Sequence, residues 1–238
     1  MNKTVKIILI SLAALILVGV LVCGVIVMAL VYPRPLVSGD GSKRIVCVGD
    51  SLTYAQGVVG SRDKDSFTAI LSTLLPDTTV VNYGLPNRTL LSTGNMPYTA
   101  ESHYRESLAE DADIVIIMLG SNDSKGINWN AERFAEEYEA LVKSYIEMDS
   151  EPTVYVMRPT RLYREVVDEG DGNNEIIKGE MTDIIYAVAE KLHVGVIDLY
   201  SITDGHPEWY TDGAHPDAEG NRAIAEEIAR VLYGFTSK

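Results

Sequence analysis

Cysteine is scarce in this sequence. Two stand in 238 residues, and Cys23 lies inside an uncharged apolar run, so a Cys23–Cys47 disulfide is implausible and a disulfide scaffold is excluded. Cys47 falls in a strand-like segment and reads as an inert buried thiol. Positive charge is also short: 20 Lys and Arg face 34 Asp and Glu, a net charge of −14. A surface that acidic repels a phosphate backbone, which argues against any nucleic-acid partner. Internal repeats and low-complexity tracts are missing too. What remains, 46% hydrophobic and 23% charged, is the composition of a globular chain rather than a disordered one.

Charge is missing altogether from residues 7–32. As a helix this stretch would rise roughly 39 Å, against a bilayer hydrocarbon core of about 30 Å. A cleavable signal peptide has a shorter apolar run, about 7–15 residues, followed by a small-x-small cleavage site. Met28-Ala29-Leu30-Val31 offers no such site, and Val22 is too bulky to precede a lipid-modified Cys23. The expectation is one uncleaved transmembrane helix at 7–32, after a cytoplasmic segment 1–6 and before a tether at 33–42. Lys3 and Lys6 hold the N-terminus inside by the positive-inside rule, giving a single-pass cell-membrane protein with its domain, 43–238, outside. Residues 33–238 carry all 34 acidic residues and 18 basic ones, a net of −16, and suffice for one domain with its own core.

Short β-branched runs alternate with helical patterns through that domain. Strands are expected at 44–48, 79–83, 113–119, 153–157 and 194–199, and their near-continuous apolar character suits parallel strands buried on both faces. Helices are expected at 66–75, 131–148, 175–192 and 218–233. The alternation predicts a three-layer α/β/α sandwich on a five-stranded parallel sheet, with a long loop over 163–174.

Ligands in such sheets gather where the strands end. Those ends read Gly49-Asp50-Ser51, Gly84 and Gly120-Ser121-Asn122-Asp123, and the loop before the last helix reads Asp212-Gly213-Ala214-His215-Pro216. A serine hydroxyl needs an imidazole to take its proton and a third group to fix the imidazole's tautomer. Ser51 opens a turn directly after a strand, while Asp212 and His215 stand three apart in a turn bounded by Gly and Pro. These three are the catalytic candidates. The oxyanion needs donors as well, for which the backbone N–H groups of Ser51 and Gly84 and the side-chain amide of Asn122 are candidates. Asp50 and Asp123 are expected to brace loops, and His103, His193 and His206 to pack or face solvent, with His206 near enough to the turn to touch substrate. Ser51 as a plain helix cap is the bland alternative. A metal site from Asp50, Asp212 and His215 lacks helical ligand spacing.

The chain resembles the SGNH, or GDSL-type, hydrolases. Gly49-Asp50-Ser51-Leu52-Thr53 is similar to the family's first block, Asn82-Tyr83-Gly84 to the second, Gly120-Ser121-Asn122-Asp123 to the third and Asp212-Gly213-Ala214-His215-Pro216 to the last. The blocks keep the family's order. Asn87 departs from the pattern, standing where a second-block glycine is common. The resemblance implies a flavodoxin-like sheet, a Ser51 nucleophile with Asp212 and His215, and no metal or organic cofactor. The stretch from Asn122 to Trp129, with His206-Pro207-Glu208-Trp209, looks closest to carbohydrate or sialate O-acetylesterases. The expected activity is hydrolysis of a small O-acyl ester, most readily an acetyl ester on a sugar, by a membrane-anchored esterase with a small-molecule or glycan substrate. A lysophospholipase or thioesterase and an O-acetyltransferase could use the same residues. A non-catalytic glycan-binding domain on the same fold is the alternative of another class.

Overall fold

A computed structural model describes residues 2, 11–24 and 33–234. In the N-terminal unit residues 11–24 are helical and exposed. Among the described residues no helix is long and apolar enough to cross a membrane; the rest of the apolar stretch, 7–10 and 25–32, lies outside them.

The second unit begins at Pro35. Its strands are β1 (Leu36–Ser38), β2 (Lys43–Gly49), β3 (Thr78–Gly84), β4 (Ile114–Met118), β5 (Thr153–Arg158) and β6 (Gly195–Asp198). They form one sheet in the order β1-β3-β2-β4-β5-β6, parallel except for β1, which runs antiparallel to β3. The sheet is therefore mixed and six-stranded, where five parallel strands were expected. The extra strand falls inside the stretch read as a tether. Three residues between Pro35 and Gly39 are too few to show a period of two, so no sequence pattern marked it.

The main helices are α1 (Ser51–Tyr54), α2 (Phe67–Leu74), α3 (Ser102–Leu108), α4 (Ala131–Ile146), α5 (Glu180–Leu192) and α6 (Ala218–Tyr233). Alternate strand residues point to opposite faces, and both faces are covered. Val46, Val48, Val115 and Ile117 meet Phe134 and Tyr138 of α4 and Ile185 of α5 in one core. Ile45, Cys47, Ile116 and Met118 meet Phe67 and Leu71 of α2 and Ile224 and Ile228 of α6 in the other. Two-sided burial is why these strands read as unbroken apolar runs.

The chain order reverses at β2, whose Gly49 lies opposite Gly84 on one side and Met118 on the other. A crevice beyond the strand ends is expected at such a switch point. It is lined by residues that follow β2, β3, β4 and β5 and by the loop before α6.

Candidate active site

Ser51 is the first residue of α1, and the N-cap is Asp50. The Leu52 N–H donates to Asp50 Oδ1 at 2.9 Å, so the aspartate, not the serine hydroxyl, does the capping. Ser51 Oγ is left to face His215, 164 residues away along the chain, with 3.0 Å between Oγ and Nε2. The other ring nitrogen, Nδ1, lies 2.7 Å from Asp212 Oδ2. A carboxylate at Nδ1 places the ring proton there and leaves Nε2 as the acceptor for the Ser51 hydroxyl.

The turn that carries both residues is held from within. Asp212 Oδ1 accepts the N–H groups of Ala214 at 2.9 Å and His215 at 2.8 Å, and Gly213 takes φ 74°, where a side chain would be strained. Burial alone would raise the Asp212 carboxyl. The bond to the His215 ring and the two N–H bonds outweigh that and lower it to about 2. Asp212 therefore stays charged throughout the neutral range. Arg164 meets the same carboxylate, with Nη2 2.7 Å from Oδ2, and its Nε donates to the Asp212 carbonyl at 2.6 Å. No short-range pattern ties Arg164 to Asp212, and within the 163–174 loop it carries no motif of its own.

Asn122, nine-tenths buried, points its side-chain amide toward the crevice floor. Nδ2 donates to the Arg88 carbonyl at 3.1 Å and lies 3.4 Å from Asp50 Oδ2, a contact at the outer limit of a hydrogen bond. Asp123 turns away from the crevice and accepts Leu90 N–H at 2.9 Å and Leu91 N–H at 2.8 Å, which clamps the loop after β3. Burial raises the Asp50 carboxyl to about 7 and the Asp123 carboxyl to about 6, against the N–H bonds that favour their charged forms.

Gly84 sits elsewhere than expected. It does not line the crevice, and its N–H donates to Asn82 Oδ1 at 2.9 Å. The glycine is needed for packing instead, because a Cβ there would run into Tyr54 N and lie 2.6 Å from the Thr53 carbonyl carbon, both in α1. Asn87, three residues on, does line the crevice and holds φ 67°, a left-handed conformation that asparagine tolerates better than most residues. Among the lining residues Asn87 thus stands where Gly84 was expected.

The remaining histidines lie outside the crevice lining. His103 is buried against the Tyr83 ring, His193 ends α5, and His206 stacks on Trp209 at 3.9 Å while pairing with Glu208. Among the described residues no group of three His, Cys, Asp or Glu side chains is placed to hold a metal ion. The Cys47 thiol is wholly buried in β2, which pushes its pKa up and leaves it unreactive.

A hydroxyl, an imidazole and a carboxylate in line at the carboxyl edge of an α/β sheet define the class of serine hydrolases. The family model for GDSL-like lipases and acylhydrolases matches residues 47–223, and the chain belongs to that family. An acetylxylan esterase of Xylanibacter ruminicola is 29% identical over 210 residues, covering 79% of this chain and 43% of the relative. The chain thus spans less than half the length of that relative. A carbohydrate acetylesterase family member from Sinorhizobium meliloti superposes with a TM-score of 0.66 at 25% identity, covering 81% of this chain and all of the other. The aryl esterase of M. smegmatis gives 0.65 at 26% identity, covering 82% of this chain and all of the other.

Proposed function

We propose that this chain is a membrane-anchored serine esterase that removes small acyl groups, chiefly acetyl, from carbohydrate. The observation that carries the reading is the run from Ser51 Oγ through His215 to Asp212 Oδ2, 3.0 Å and then 2.7 Å. In this mechanism Ser51 Oγ attacks the acyl carbonyl as its proton passes to His215 Nε2. Asp212 stabilises the imidazolium through Nδ1. The developing oxyanion faces Asn122 Nδ2 and the backbone N–H groups of Ser51 and Asn87. His215 then protonates the leaving alcohol, and a water activated by the same nitrogen cleaves the acyl-enzyme. No step calls on a metal or an organic cofactor.

The crevice lining supports a small acyl group and a polar alcohol. Its aliphatic side chains are Leu52, Leu162 and Ala214, enough for a methyl, while Asn87, Ser121 and Asn122 offer hydrogen bonds of the kind a sugar takes. The similarity to an acetylxylan esterase and to a carbohydrate acetylesterase family member points the same way. One observation favours a lipid or thioester substrate: Ile127, Val166 and Val167 are exposed on the two loops that also carry lining residues Lys125 and Arg164.

The anchor in this reading is the uncharged stretch 7–32, oriented by Lys3 and Lys6 so that the domain works outside the cell membrane. Its support is the sequence alone. The test of function is turnover of p-nitrophenyl esters from acetyl to dodecanoyl by the full-length chain in detergent, beside Ser51→Ala. Activity that falls steeply beyond acetyl and vanishes in the variant is the expected result. A maximum at long chains would move the reading to lipid or thioester hydrolysis. Turnover unaffected by Ser51→Ala would end it.

A further inference from the structure

The crevice reverses the charge of the chain that contains it. In a domain with 34 acidic residues against 18 basic, the carboxylates are absent from its lining among the described residues, and the charged side chains there are Lys125 and Arg164. These two differ. Arg164 is paired with Asp212, whereas Lys125 has no carboxylate within ion-pair distance among the described residues. Asp50 and Asp171 both feel its charge. Asp50 is buried behind Ser51, and the Asp171 carboxylate is tied to the N–H groups of Val167 and Asp168.

Lys125 is also held in place. The N–H groups of Asn128 and Trp129 both donate to its carbonyl, at 2.8 and 2.9 Å, and Asn128 Nδ2 donates to the Asn122 carbonyl at 2.9 Å. The same turn thus carries the lysine and holds the backbone of the oxyanion candidate. A half-buried ammonium without an ion-pair partner beside a nucleophile is a standing attraction for an anion.

We propose that Lys125 forms a subsite for negative charge on the alcohol part of the substrate, so that the enzyme prefers O-acyl esters of acidic sugars to those of neutral ones. This rests on the esterase reading above and narrows it. The −16 of residues 33–238 acts against such a preference from a distance, but at physiological salt it is screened beyond about 8 Å, leaving Lys125 to decide at contact.

Two small acetyl esters matched in shape test the subsite, 4-acetoxybenzoate and its neutral carboxamide, with the full-length chain, Lys125→Gln and Lys125→Glu. The readout is the ratio of the two kcat/KM values, each divided by that ester's rate constant for hydroxide hydrolysis, which cancels the unequal leaving groups and any general loss of activity or folding. At physiological salt the ratio should favour the anion by up to about fivefold, the upper end for one partly exposed ion pair. It should fall toward one at high salt and in Lys125→Gln, and drop below one in Lys125→Glu. A wild-type ratio at or below one, or a preference that survives Lys125→Glu, would overturn the subsite while leaving the esterase intact. Loss of Ser51-dependent turnover with both probes would instead overturn the esterase reading, and the subsite with it.

Discussion

Asn221 sits where the two halves of the site are joined, and its replacement by alanine is the most informative perturbation. It lies in the second turn of α6, almost wholly buried. Its Oδ1 accepts the Phe67 N–H at 3.0 Å, the first N–H of α2. Its Nδ2 donates to the carbonyls of Pro216 at 2.8 Å and Asp217 at 2.9 Å, directly after His215. One amide thus ties the His215 turn to the helix that packs behind β2. Truncation leaves an N–H and a carbonyl buried without partners, each costing about 1–3 kcal/mol, so a loss of roughly 2–6 kcal/mol is expected. That is a large part of the stability of about 5–15 kcal/mol usual for a domain. Urea unfolding followed by tryptophan fluorescence reads the change as a lower midpoint at unchanged slope. Activity is the second readout. A displacement of His215 by about 1 Å costs on the order of a hundredfold in rate, so kcat on p-nitrophenyl acetate should fall even well below the unfolding midpoint. A variant with wild-type midpoint and wild-type kcat would refute the bracket. A lower midpoint with unchanged kcat would show that Asn221 stabilises the fold without positioning the histidine.

Gly84→Ala should lower the melting temperature and impair turnover together, because the new Cβ must push α1, and Ser51 with it, away from β3; overpacking of this kind costs about 1–3 kcal/mol. A fully active Gly84→Ala with unchanged melting temperature would remove the steric argument. The pH dependence of stability follows from Asp50, raised from 3.8 to about 7. A carboxyl whose folded pKa lies above its unfolded value stabilises the fold fully below about pH 4, and that contribution is lost as pH rises through about 7. Asp123, raised to about 6, acts in the same direction. Chemical denaturation from pH 4 to 8 should therefore show stability declining with pH, and Asp50→Asn should flatten the decline. A flat wild-type profile, or the same slope in the variant, would contradict it.

Local chemistry was written in the sequence. The parallel strands announced themselves because burial on both faces demands unbroken apolar runs, as in residues 45–48 and 114–118. The Asp212–His215 pair was legible because three residues in a turn bring a carboxylate to an imidazole whatever lies around them. Asn87 stood out as a departure from a common glycine, and its φ of 67° is one that asparagine tolerates. Tertiary structure decided whatever depended on distant segments meeting. Sheet order and helix packing bring Ser51 to 3.0 Å from His215 across 164 residues. The pairing of Leu36–Ser38 with β3 turned part of a tether into an edge strand, since three residues carry no period of their own. Close approach of α1 to β3 made Gly84 a packing residue and left Asn87 facing the crevice. Docking of the 163–174 loop set Arg164 on Asp212. A sequence shows backbone preference and burial through short-range pattern, whereas which partners a polar side chain finds depends on segments that only the folded core brings together.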